Sequence, residues 1–105
     1  MIKVTFYHSS SELSGFKIKG HSGYATQGSD IVCAAVSSAA YMTANTVIEI
    51  MKLDAFAEID ENGGMTLKLN EADAHKAKDI LLGFELHLKE LTKQYPKNVT
   101  ITTEV

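Results

Sequence analysis

Two side chains in the first third of the sequence have the types needed for nucleophilic chemistry. Cys33 is the only cysteine among 105 residues, and eleven residues separate it from His21. An imidazole within hydrogen-bond reach of a thiol can take its proton and later return it to a leaving amine. Between them runs Ser22-Gly23-Tyr24-Ala25-Thr26-Gln27-Gly28-Ser29, which reads with Gly20 as a glycine-bearing loop. The loop must return to start a helix, so its two ends can lie close together. Ser29 or Asp30 is a candidate helix cap. With Asp30 as N-cap, Cys33 becomes the third helical residue. There the unbonded N–H groups and the helix dipole favour negative charge, hence the thiolate. Taken alone, these residues leave bland alternatives open: a buried structural cysteine and a histidine on a surface loop. Ser37 lies one turn after Cys33 on the same helix face. It can hydrogen-bond a substrate or simply permit a close helix contact. Asp30 can cap the helix or orient His21 as the third member of a nucleophile–base set.

Other chemistries find less support. One Cys and one His are too few for structural zinc, and no CxxC or HxxxH pair occurs. His8, His75 and His87 read as solvated or structural. The glycines match neither the P-loop nor the dinucleotide-binding fingerprint. No metal or cofactor is therefore expected. Acidic residues outnumber basic ones, 13 to 10, and every basic residue is lysine. A dedicated nucleic-acid binder would be basic and rich in arginine, so no direct nucleic-acid binding is expected.

The elements that must position these residues follow from periodicity. Ile2, Val4 and Phe6 alternate with Lys3, Thr5 and Tyr7, as in a half-buried strand. A Ser-rich turn at 9–11 leads to a second strand around Phe16 and Ile18, and the two should form a hairpin. A helix is expected over residues 31–53. It is apolar around most of its circumference, with no charge from 31 to 48. Ser37, Ser38, Thr43, Asn45 and Thr46 interrupt the run, which favours a buried core helix over a membrane span. Residues 56–60 and 65–69 read as strands joined through Asn62-Gly63-Gly64. Asn70 should cap a second, continuous helix ending at Pro96, with Ala77, Ile80, Leu81, Phe84, Leu88, Leu91 and Tyr95 on one stripe. Residues 99–105 alternate as a final strand. The expectation is a single domain over residues 1–105 of the α/β class (α+β type), ordered ββαββαβ, with one sheet packed with two helices. The N-terminus lacks a signal-peptide layout, and a lone cysteine permits no intrachain disulfide, so a cytoplasmic location with no membrane partner is expected. One small sheet cannot cover Val32, Val36, Ala40, Val47 and Met51 together with Ala35, Met42 and Ile50, which points to a homodimer.

The segment Gly20-His21-Ser22-Gly23-Tyr24-Ala25, followed by Gly28-Ser29-Asp30-Ile31-Val32-Cys33-Ala34-Ala35-Val36-Ser37, closely resembles the ribosomal-processing cysteine protease family, Prp. Length and element order agree over the whole chain, and the specific part is this stretch of 18 residues. Ser22 stands where the family often carries Ala, a small change. The resemblance implies that His21 and Cys33 are the catalytic dyad, that Ser37 assists, and that the loop over 20–29 folds over substrate. In that reading Gly20, Ser22, Tyr24 and Asp30 join Ser37 as substrate-binding or assisting residues. It implies a homodimeric endopeptidase that removes a short N-terminal extension from a bacterial large-subunit ribosomal protein. Cleavage would follow a paired-aromatic segment, and Tyr24, Ala34, Ala35 and Ser38 are candidates to line an aromatic-accepting pocket. The alternative is a non-enzymatic ribosome-assembly module that binds a ribosomal protein or RNA. Its mark would be a basic face, which the acidic balance argues against.

Overall fold

A computed structural model describes residues 1–20 and 27–104, the side chains of 27–30 excepted. The first strand, β1 (Ile2–Ser9), turns through Ser10 and Ser11 into β2 (Glu12–Lys19). Both turn serines have positive φ (52° and 71°), the twist that matches a two-residue hairpin loop. A long helix follows, α1 (Gln27–Asn45), which widens into a π-helical turn over Thr46–Ile50. Met51 N–H donates to the Thr46 carbonyl, and Leu53 N–H closes back on Val47 across Lys52, whose φ is 58°. The hairpin β3 (Ala55–Ile59) and β4 (Met65–Leu69) comes next. Its turn is held by one Asp60 carboxylate oxygen, which accepts from Asn62 and Gly64 N–H at 2.8 Å each. Helices α2 (Glu71–Lys76) and α3 (Lys78–Gln94) precede β5 (Val99–Glu104).

The five strands form one mixed sheet in the order β3-β4-β2-β1-β5, antiparallel except for the β1–β5 pair. This is the expected single small α+β domain, with the helices on one face of the sheet. The core is the alternating set Ile2, Val4, Phe6, Phe16, Ile18, Leu67 and Val99 packed under Val32, Val36, Ala40 and Val47 of the first helical segment and Leu81, Phe84 and Leu88 of α3. Phe84 stacks against Phe16 and meets Phe6 edge-on, with centroids 4.6 and 5.8 Å away. Such ring pairs add to the free energy gained by burial.

Two helix expectations change. The second helix is not continuous: it breaks at Ala77, whose φ and ψ are −95° and 7°. Asn70 caps α2 as expected, accepting from Asp73 N–H at 2.9 Å. Ala74 and Ala77 are both fully buried at the bend. Their small side chains let the helix change direction against the sheet, and no proline or glycine marks the place. The first helix begins earlier than expected, at Gln27, so Ser29 and Asp30 lie inside its first turn and neither caps it. An acidic residue is favourable anywhere in that turn, which is why composition does not separate the two placements.

Candidate active site

Cys33 is the seventh residue of α1, about 9 Å along the axis from its start. The expected third-residue placement is thereby corrected. In the second turn the backbone N–H groups are already used within the helix, and the dipole's influence has largely faded. The thiol side chain is half-buried and forms no disulfide. It sits in a small depression of about 10 Å³ with Ser37, Val36, Ile2, Ile18 and Lys19. That is room for about one water, so these residues make a floor rather than a substrate-sized pocket.

The structure thus brings together Cys33, Ser37 and the end of β2. Ser37 follows Cys33 by one turn and shares its depression, as the spacing predicts. Gly20 follows β2 directly, with φ of 92°, and a Cβ there would run into the carbonyl oxygen of Met1. Only glycine accommodates both conditions. The residue immediately before His21 is therefore fixed beside the start of β1, and Lys19, two residues before His21, borders the cysteine. His21, Ser22 and Tyr24 lie outside the described residues, as do the side chain of Asp30 and most of the expected loop.

The small residues of α1 divide between two flanks. Ala35 and Ser38, expected near the cysteine, line a separate groove with Ala39, Met42, Ile80 and Phe84 between α1 and α3. They stand about 140° to 160° around the helix from Cys33, and Val32, Val36 and Ala40 seat the core between the two flanks. On the cysteine's flank, Tyr41 and Asn45 continue the four-residue spacing of Cys33 and Ser37. With Ala44 and Ile48 they wall a groove of about 300 Å³ against Ala57, Ile59 and Met65. This groove is mostly apolar, with Asn45, Glu58 and Thr66 as its polar members, and Tyr41 and Ile59 are exposed in it. The stripe of Cys33, Ser37, Tyr41 and Asn45 was legible as a spacing. Its strand wall was not, because it comes from a hairpin distant in sequence.

The remaining histidines are apart from Cys33, although His87 lines the groove between α1 and α3. His75 pairs with Glu12 at 2.9 Å on the surface, His87 is exposed on α3, and His8 lies on β1 beside Leu13. Among the described residues no group of three His, Cys, Asp or Glu side chains could hold a metal ion. The segment Ile31–Ile50 is long and apolar enough to cross a membrane, with mean hydropathy 1.5. Its Val32, Val36, Ala40 and Val47 have no exposed surface, being packed in the core.

Comparison with known proteins places this geometry. The family model for the cysteine protease Prp matches residues 1–100. The ribosomal processing cysteine protease Prp of Bacillus subtilis (strain 168) is 27% identical over 111 residues, covering 100% of this chain and 99% of its own. Among solved structures, SMU.848 from Streptococcus mutans is 28% identical with a TM-score of 0.84, over 99% of this chain and 96% of its own. The ribosomal processing protease Prp from S. aureus, solved in complex with a substrate peptide, has a TM-score of 0.88 at 20% identity, over 99% of this chain and all of its own. The last of these is a likeness of fold.

Proposed function

The chain belongs to the cysteine protease Prp family and is a cysteine protease; on that premise we propose that Cys33 is its nucleophile, His21 its general base and acid, and a ribosomal protein precursor its substrate. The observation that carries the reading is the position of Cys33. The sole thiol stands half-buried on a helix flank beside Ser37 and the end of β2, two residues short of His21. In this reading His21 takes the thiol proton, and the sulfur attacks the scissile carbonyl. The oxyanion is held by nearby donors, and His21 then protonates the departing amine. Water hydrolyses the thioester to release the second product. The Ser37 hydroxyl is placed to hydrogen-bond substrate.

The substrate reading is supported by the relatives, whose names carry ribosomal processing. The bond cut is the one that releases a short N-terminal extension. The apolar groove along Tyr41 and Ile48 supports a substrate with large apolar side chains flanking the cut. The protein works as a homodimer in the cytoplasm, where thiols stay reduced. The dimer is supported by Ile31, Met42 and Ile50, which remain 58%, 55% and 76% exposed although their helix is seated on the core. Incubation with a large-subunit ribosomal protein carrying its extension, read by intact mass, tests the reading. Loss of the extension is expected. An unchanged mass with the parent protein would remove the substrate assignment.

A further inference from the structure

We propose that the open face of the sheet, opposite the helices, is a docking surface for single-stranded RNA. The strand registers assign its residues row by row. One row runs Phe56, Lys68, Gly15, Tyr7 and Glu104 from β3 to β5. The next runs Glu58, Thr66, Lys17, Thr5 and Thr102, and a third holds Lys19, Lys3 and Thr100. The four lysines all lie on the three central strands, and the two glutamates lie on the edge strands β3 and β5. The middle of the face is therefore purely cationic, in a chain whose net charge is −3. That segregation gives this side a local attraction for a polyanion despite the negative net charge.

The aromatic residues give the face a second kind of contact. Phe56 is 55% exposed on the edge strand β3. Tyr7 lies three strands away in the same row, about 14 Å at ordinary strand spacing. Lys68 spans the gap: its Nζ is 4.6 Å from the Tyr7 ring centroid, above Gly15. A side chain at Gly15 would collide with the Leu67 carbonyl, so the row stays low between the two rings. Lysines beside the exposed Phe56 ring on an open sheet suit an unstacked base and the phosphates that link it to its neighbours. The hydroxyls of Thr66, Thr100 and Thr102 add hydrogen-bonding groups for sugar or phosphate. A duplex hides its base faces and would leave Phe56 unused. The rows that hold Lys17 and Lys68 lie on the far side of the sheet from Cys33, and of the four lysines only Lys19, at the end of β2, also borders the cysteine, so RNA held on those rows leaves the thiol open to peptide.

Fluorescence anisotropy of a short labelled oligouridylate with the whole protein tests this across a salt series. Four lysine–phosphate contacts predict a slope of log affinity against log salt of roughly −3, from about −0.7 per contact on a single strand. Lys17→Gln and Lys68→Gln should each flatten that slope by about 0.7. Phe56→Ala should weaken binding about tenfold at unchanged slope, as expected for loss of one stacked base. Each variant should keep its circular dichroism and its cleavage of a peptide substrate. Absence of salt-dependent binding overturns the proposal. So does binding that ignores all three substitutions, tighter binding to duplex RNA, or anionic vesicles binding with the same lysine dependence and no effect of Phe56→Ala.

Discussion

Cys33→Ala should abolish cleavage and leave the fold almost untouched. The stability change follows from where the sulfur sits. Full burial of a methylene-sized group contributes about 0.8 kcal/mol, and the Cys33 side chain is only half-buried. Its removal therefore costs less than about 0.8 kcal/mol. Alanine is the better helix former by about half a kcal/mol at this position inside α1. The two terms nearly cancel, so the melting temperature should move by less than about 4 °C. A structural cysteine in a closed core would instead show a clear loss. His21→Ala isolates the other half of the mechanism. Cys33 stands in the second turn of α1, past the unpaired N–H groups of the first, so in the proposed mechanism the proton transfer rests on the imidazole. Cleavage by His21→Ala should fall about 10²- to 10⁴-fold. Alkylation of Cys33 by iodoacetamide should slow as well, because the base proposed to take the thiol proton is gone. The assays are thermal melting by circular dichroism, product mass from a peptide carrying the extension, and alkylation rate by mass. Comparable cleavage by Cys33→Ala places the nucleophile elsewhere. Parent-like alkylation in His21→Ala, with cleavage lost, would show that the imidazole does not activate the thiol.

Three further outcomes are expected. Gly20→Ala forces a side chain into positive φ and against the Met1 carbonyl; it should lower stability by more than about 1 kcal/mol and reduce kcat/KM, and a parent-like melt and rate would contradict the assigned geometry. Phe84→Ala removes the ring that joins Phe6 and Phe16 and should cost about 3–5 kcal/mol, readable as a melting temperature lower by more than about 10 °C; a shift of a few degrees would mean the cluster is not central. Light scattering at micromolar concentration should give twice the chain mass, and Met42→Glu together with Ile50→Glu should halve it while the helix content stays; a parent protein of single-chain mass would remove the homodimer.

Much of the fold was written in local patterns. Strand alternation around Val4 and Phe6, the turn at Asn62-Gly63, the Asn70 cap and the Leu81–Phe84–Leu88 stripe are decided by neighbours a few residues away. The structure follows them. The break at Ala77 was invisible because its cause is tertiary: alanine favours helix, and only packing of Ala74 and Ala77 on the sheet bends the chain there. The start of α1 was missed for a different reason. Ser29 and Asp30 suit both a cap and a first turn, so residue preference does not fix which of them ends the loop. The identity of Cys33 and its partnership in space with Ser37 were legible from a four-residue spacing. The groove beyond Ser37 was not, since β3 and β4 supply its far wall. Composition also hid the lysine face. Net charge sums over the chain, whereas strand alternation sorts Lys3, Lys17, Lys19 and Lys68 onto one side of the sheet.

The all-round apolarity of the first helix now has a physical account. A helix that packs on one side needs a single stripe, which Val32, Val36, Ala40 and Val47 provide. Cys33, Ser37, Tyr41 and Ile48 form a second surface, facing the end of the sheet and the β3–β4 hairpin. Ala35, Ala39 and Met42 form a third, facing α3 across an open groove. A charged side chain on the second surface would stand beside the thiol or in the groove that continues from it. On the third it would block close approach between the helices or between two copies. An uncharged run from 31 to 48 follows from three separate demands on one cylinder, and it passes a test for membrane length without any of the three involving lipid. Small residues fit that arrangement better than leucines would. Alanine and serine keep the flanks of α1 beside Cys33 and towards α3 low, while Val32, Val36 and Val47 fill the core.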